Sequence, residues 1–128
     1  MIGYTLVGTN DIEKAKVFYD GLFSEIGINR GMEMDAMCAW GSFGGDPMFG
    51  VCKPHDGKPA SVGNGTMIAL EQKSRAAVDK LHTKALALGG TCEGPAGVRG
   101  EEGEQAFYAS YFRDLDGNKL CAYIIGGA

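Results

Sequence analysis

Residues 8–27, GTNDIEKAKVFYDGLFSEIG, contain the end of a strand, the start of a helix and an uninterrupted apolar stripe. A short apolar segment ends at Gly8, and Asn10 with Glu13 three positions later forms a capping-box pattern. The apolar positions that follow have helical spacing: Ile12, Ala15, Phe18, Tyr19, Leu22, Phe23 and Ile26. Gly27 is expected to end the helix. The stretch therefore predicts a strand followed by one amphipathic helix.

The same pattern recurs in the second half of the chain after a displacement of 63 positions. The aligned pairs are Tyr4 with Met67, Leu6 with Ala69, Asp11 with Ser74, Ala15 with Val78, Phe18 with Leu81 and Gly27 with Gly90. Three strand candidates follow the helix in each half, and neither half buries its apolar face well alone. We therefore predict an α+β fold in which two tandem βαβββ modules form a curved, mostly antiparallel, eight-stranded sheet.

The boundary between the modules is rich in turn-forming residues. Six of the residues in 54–65 are glycine, proline or asparagine. We predict one domain over residues 1–128, with module 1 at about 1–56, a linker at about 54–65 and module 2 at about 63–128. The pattern of residues 94–103 predicts a polar, mobile loop. A more specific hypothesis is that this loop forms a lid over a pocket. Asp116-Gly117 predicts a hairpin turn between the last two strands.

Composition excludes several classes of function. The 12 Lys and Arg against 16 Asp and Glu give a net charge of −4, so we expect no nucleic acid and no membrane as partners. The four cysteines, Cys38, Cys52, Cys92 and Cys121, form no CxxC pair and read as reduced thiols. The first residues show no secretion signal, which predicts a cytoplasmic location.

Four stretches resemble the vicinal oxygen chelate superfamily, which holds glyoxalase I, extradiol dioxygenases, fosfomycin-resistance enzymes and bleomycin-resistance proteins. They are residues 8–27, the linker and fifth strand DGKPASVGNGTMIAL at 56–70, SRAAVDKLHTKALALGGTCEGPAGVR at 74–99 and YFRDLDGNKLCAY at 111–123. The resemblance spans nearly the whole chain. It implies the glyoxalase/bleomycin-resistance/dioxygenase-like fold and a homodimer.

The resemblance also implies where a divalent metal would be held. The family's ligands are a His or Gln on the first strand, a His on the fifth and a Glu on the eighth, and these positions fall on Tyr4, Met67 and Cys121. None of the three is the expected residue, and neither imidazole nor carboxylate is left for a hard cation. A catalytic His/His/Glu triad is therefore absent, and we expect no cofactor.

Five residues form the candidate ligand pocket: Tyr4, Trp40, Met67, Tyr108 and Cys121. Tyr4 and Met67 are expected to face the cup of the sheet, and the resemblance places Tyr108 near its mouth. We expect Cys121 to be an inert thiol in the core rather than a nucleophile or a metal ligand. His55 and His82 are expected to be exposed rather than catalytic.

Three functions stay open at this point. The first is a metal-independent small-molecule-binding protein, similar to bleomycin-resistance proteins, whose partner is a small organic ligand. The second is a glyoxalase-like lyase or dioxygenase that uses a divalent metal with non-standard ligands. The third is a degenerate module that acts in protein association. The sequence favours the first because the usual metal ligands are replaced.

Overall fold

Two successive βαβββ units make up the structure, a computed structural model that describes residues 1–127. The first unit consists of β1 (Tyr4–Gly8), α1 (Ile12–Ser24), β2 (Arg30–Met34), β3 (Met37–Trp40) and β4 (Met48–Cys52). The second consists of β5 (Ile68–Glu71), α2 (Arg75–Ala87), β6 (Thr91–Arg99), β7 (Phe107–Arg113) and β8 (Lys119–Ile125). The predicted α+β fold with two βαβββ modules is confirmed.

The eight predicted strands are arranged as two four-stranded mixed sheets. Their orders are β1-β4-β3-β2 and β5-β8-β7-β6, so the two units have the same topology. The first strand of each unit pairs in parallel with the last strand, and the other ladders are antiparallel. Each helix is thus the crossover from an edge strand to the rest of its sheet.

Helix α1 begins one residue later than the capping box predicts. Asp11 is the N-cap, and its side chain accepts a hydrogen bond from the Lys14 backbone N–H at 3.1 Å. Asn10 is engaged elsewhere, because its Oδ1 accepts a 2.7 Å bond from the Ala60 backbone N–H in the inter-unit connection. The predicted cap of α2 is confirmed, since Ser74 accepts from the Ala77 backbone N–H.

Both helices and one face of each sheet share a single hydrophobic core. The predicted stripe of α1 is buried from Ile12 to Phe23. Its aromatic members pack against the first sheet, with the ring centroids of Tyr19 and Phe49 4.9 Å apart. Val78, Leu81 and Ala85 of α2 belong to the same core. Neither helix within residues 1–127 has the length and hydropathy needed to cross a bilayer.

The segment expected to be a mobile loop is mostly strand. β6 runs to Arg99 and pairs with β7 along its length, with register shifts between Cys92 and Gly94 and between Gly94 and Gly97. Such bulges let a glycine- and proline-containing segment stay in a ladder. The connection that follows is fixed to α2, because Arg75 binds both carboxylate oxygens of Glu102 at 3.0 and 2.5 Å. The lid interpretation is therefore wrong for residues 94–99.

Candidate functional site

Each sheet has a second face, opposite to its helix, which we call the open face. Side chains alternate between the two faces along a strand. In the first sheet Val51, Cys38 and Trp40 are buried against α1. The alternate positions therefore form the open face, and they include Tyr4, Leu6, Met32, Met34, Met37, Ala39, Met48, Gly50 and Cys52. It is almost entirely apolar and rich in methionine.

The open face of the second sheet is aromatic and cationic. Phe112, Leu120 and Ala122 point to α2 and are fully buried. The alternate positions of β7 and β8 include Phe107, Tyr111, Arg113, Lys119, Cys121 and Tyr123. Phe107 and Tyr123 stack with ring centroids 5.4 Å apart. The two open faces thus differ in chemistry although the two sheets have the same topology.

Tyr4, Met67 and Cys121 are distributed over the two sheets. Tyr4 is the first residue of β1 and is 60% exposed. Met67 directly precedes β5, and Cys121 lies in β8 opposite Ala69 and Tyr111 with no exposed surface. Met67 lines a cleft of about 490 Å³ together with Arg113 and Lys119. Met67 and Cys121 therefore belong to the second sheet, and Tyr4 belongs to the first.

The donors at these positions do not fit a divalent metal. Burial raises the pKa of the Cys121 thiol, and the nearby Tyr111 hydroxyl and the Arg99 and Lys119 charges offset this effect only in part. A protonated thiol is not a metal ligand. Tyr4 and Met67 offer a phenol and a thioether, whereas Mg²⁺ and Mn²⁺ prefer carboxylate oxygens. Within residues 1–127, no group of three or more His, Cys, Asp or Glu side chains is arranged to hold a metal ion.

Trp40 and Tyr108 lie on the helix side of their sheets, away from the open faces. Trp40 is 2% exposed, and its indole N–H donates a 2.9 Å hydrogen bond to Asp20 of α1. The Tyr108 hydroxyl donates a 2.6 Å bond to Asp79 of α2, and the Arg75 guanidinium lies 4.9 Å from its ring centroid. Both aromatic residues therefore join a sheet to its helix.

His82 is buried on the inner face of α2, contrary to the expectation that it is exposed. It lies four residues after Val78 and three before Ala85, and both of these residues are in the core. This helical spacing predicts that His82 is buried on the same face. Burial lowers the pKa of His82, and the charge of Arg99 lowers it further. His55 is exposed as expected.

A second cleft, of about 750 Å³, lies on the first open face. Leu6, Met37 and Cys52 form its floor, and residues 53–59 of the inter-unit connection form one side. Sequence reasoning missed Met37 and Cys52, although strand alternation with Cys38 and Val51 places them on this face. The first open face therefore holds a largely apolar depression at Leu6.

The class of the protein follows from comparison with known families. The family model of the Glyoxalase/Bleomycin resistance protein/Dioxygenase superfamily matches residues 1–122. The chain belongs to this superfamily, as the sequence motifs predicted. No curated protein matches the sequence.

Several solved structures are similar to the chain. A glyoxalase/bleomycin resistance protein from Albidiferax ferrireducens is 37% identical, with a TM-score of 0.86 over 97% of this chain and 98% of that chain. A family enzyme from Burkholderia phytofirmans is 18% identical, with a TM-score of 0.72 over 96% and 97% of the two chains. A lactoylglutathione lyase from Agrobacterium tumefaciens is 20% identical, with a TM-score of 0.66 over 97% and 92%. The last two share the fold alone.

Proposed function

We propose that the chain is a metal-independent small-molecule-binding protein, similar in this respect to bleomycin-resistance proteins. The observation that carries the proposal is the donor set at the family's ligand positions. Tyr4, Met67 and Cys121 supply no carboxylate and no imidazole, and Cys121 is fully buried with a raised pKa. A bound organic molecule would therefore be held by contact and hydrogen bonding rather than by coordination.

The open faces supply the surface for such a ligand. The second face combines aromatic rings with cations, and the first holds a cleft of about 750 Å³. Small-molecule sites are typically concave and largely apolar, with volumes of about 300–1,000 Å³ and a few polar groups that fix orientation. These properties support binding on the open faces, where Tyr4 and Met67 are exposed and Cys121 is fully buried.

A second copy of the chain is the partner that we propose for the first open face. Tyr4, Leu6 and Met34 are 60, 40 and 53% exposed there, and large apolar side chains grouped on one face mark an interaction surface. A second chain lying on this face would bury them and close the cleft beside Leu6. Formation of a homodimer would therefore enclose the ligand site on the first open face.

A ligand panel measured by thermal unfolding tests the proposed function. The panel holds aromatic molecules that are anionic, neutral or cationic, and each is measured once in EDTA and once in Mn²⁺. We expect at least one class to raise the Tm equally in both buffers, because binding to the folded state stabilises it. Stabilisation that appears only with Mn²⁺ would instead establish a metal-dependent enzyme site.

A matched pair of variants separates the open face from the rest of the surface. Tyr111→Leu removes the central ring of the second open face, and Phe43→Leu removes a ring that is 68% exposed in the β3–β4 connection. We expect Tyr111→Leu to lose the ligand-dependent rise in Tm and Phe43→Leu to keep it. The opposite result would place the ligand elsewhere.

A further inference from the structure

Two cations flank one ring on the second open face. The Arg99 guanidinium carbon lies 5.3 Å from the Tyr111 ring centroid, and the Lys119 Nζ lies 5.5 Å from the same centroid. Arg99 comes from β6 and Lys119 from β8, the strands on either side of β7, which carries Tyr111. The strand order of the sheet thus places both positive charges next to the Tyr111 ring.

The Arg99 side chain is held in place by the backbone of its own strand. Its Nη1 donates a 3.0 Å hydrogen bond to the Gly97 carbonyl oxygen, and its Nη2 donates a 2.6 Å bond to that of Pro95. A Cβ at Gly94 would lie 3.0 Å from Nη2 and 3.1 Å from the Tyr111 ring, so the absence of a side chain leaves the space that the guanidinium uses. Arg99 is therefore pre-positioned rather than free in solvent.

Among residues 1–127, no carboxylate oxygen lies within 4.0 Å of either cation, although the Lys119 charge is near enough to help lower the pKa of Glu93. Every other buried or half-buried Lys or Arg within residues 1–127 has a carboxylate oxygen within 4.0 Å; these residues are Lys16, Arg75, Lys84 and Arg113. Arg113 lies on the same open face and is paired with Glu93. The chain has more acidic than basic residues, so the lack of a partner is local. Two unpaired, half-buried like charges favour an anion from outside.

We infer that Arg99 and Lys119 bind the anionic group of the ligand, and that the ligand is an organic carboxylate with an apolar body. The planar guanidinium suits a carboxylate, and the ammonium adds a second charge-assisted donor. The stacked Phe107 and Tyr123 rings on the same face supply apolar contact for the body. This inference rests on the proposed function and specifies its ligand class.

Benzoate and its neutral analogue benzyl alcohol are the probes that test the inference. Each is titrated into ¹⁵N-labelled protein at low ionic strength, and the amide signals are followed. We expect benzoate to shift the signals of Arg99, Tyr111 and Lys119 and to bind at least about tenfold more tightly than benzyl alcohol, as hydrogen bonds to charged groups predict. Added salt is expected to weaken benzoate binding.

Variants assign the effect to the two cations. Arg99→Gln and Lys119→Gln are each expected to weaken benzoate binding by about tenfold. Lys80→Gln removes the same charge from an exposed position on α2 and is expected to leave it unchanged. Arg99→Lys keeps the charge but loses the planar donor pair, so we expect an intermediate affinity and a native spectrum.

The outcomes distinguish the inference from the function beneath it. Equal affinities for benzoate and benzyl alcohol at this face would overturn the anion assignment while leaving small-molecule binding intact. Benzoate binding that survives both glutamine substitutions, or that shifts signals away from this face, would also overturn it. No shift with benzoate would overturn it as well, and the thermal panel then decides separately whether the chain binds small molecules.

Discussion

The Tyr19 hydroxyl donates a 2.5 Å hydrogen bond to Oδ2 of Asp114 and thereby joins α1 of the first unit to the β7–β8 turn of the second. Asp114 also accepts bonds from the backbone N–H groups of Asp116 and Asn118, so the same carboxylate closes the turn. The Asn118 amide continues the connection by donating to the Gly8 carbonyl oxygen at 2.9 Å. One buried carboxylate therefore fixes a turn and links the two units.

Tyr19→Phe tests this link. The substitution leaves the ring but removes one donor to a buried carboxylate, so we expect the free energy of unfolding to fall by about 1–3 kcal/mol. The measurement is urea denaturation followed by circular dichroism. Phe43→Leu is the control, because Phe43 is 68% exposed in the β3–β4 connection, and its effect is expected to stay within about 0.5 kcal/mol. Equal effects of the two substitutions would contradict the proposed importance of the link.

His82 is expected to make the stability of the chain depend on pH. Burial lowers its pKa in the folded chain, whereas in the unfolded chain the value is about 6.5, so the unfolded state binds more protons in mildly acidic solution. Stability is therefore expected to fall as the pH drops below about 6.5 towards the lower folded pKa. Urea midpoints measured between about pH 8 and 5 follow this loss.

Two histidine variants identify the group responsible. His82→Gln is expected to flatten the pH dependence in that range, and His55→Gln, at an exposed position, is expected to retain it. An unchanged slope in His82→Gln would mean that another group titrates.

The sequence predicts the fold well because its signals are local and periodic. The α1 stripe from Ile12 to Phe23 is buried as its spacing indicates, and Ser74 caps α2 as its position before the helix indicates. The Asp-Gly turn also lies between the last two strands. These features depend on contacts within a few residues, or on a repeat that requires the same topology twice.

The candidate site is predicted less well because its geometry depends on distant residues. The Trp40 indole N–H donates to Asp20 of α1, and no local pattern predicts this contact between residues 20 positions apart. Gly94 and Gly97 read as loop residues, but β7 offers a ladder in which they form bulges. The contact between Arg99 and Tyr111 depends on this same ladder. A sequence pattern that indicates a loop over residues 94–103 therefore does not predict it.

Thiol labelling tests whether Cys121 is an inert residue. Burial raises the pKa values of Cys38 and Cys121, and both thiols have no exposed surface, whereas Cys92 is exposed. At neutral pH we expect a disulfide reagent to modify Cys92 first and Cys121 only on the timescale of unfolding. Mass spectrometry of the labelled sites gives the order, and Cys92→Ser should remove the fast phase. Labelling of Cys121 as fast as that of Cys92 would identify an accessible, activated thiol.

Light scattering tests the proposed homodimer. The purified chain is expected to elute with twice its mass of 13.5 kDa. Met34→Lys introduces a charge into the first open face and is expected to shift the population to monomer. Val17→Lys, at a 67% exposed position on α1, makes the same chemical change outside that face and should leave the dimer intact. A monomeric wild type, or a Met34→Lys dimer, would remove this face from the interface.

Metal content tests the central claim most directly. The chain is incubated with Mn²⁺, Zn²⁺, Ni²⁺ and Fe²⁺ in turn, exchanged into metal-free buffer and analysed by elemental mass spectrometry. Because the positions that the resemblance assigns to the family's ligands hold Tyr4, Met67 and Cys121, we predict far less than one ion per chain for every metal. A content close to one tightly held ion per chain, or per pair of chains, would contradict this prediction. It would favour a metal-dependent enzyme over a metal-independent binding protein.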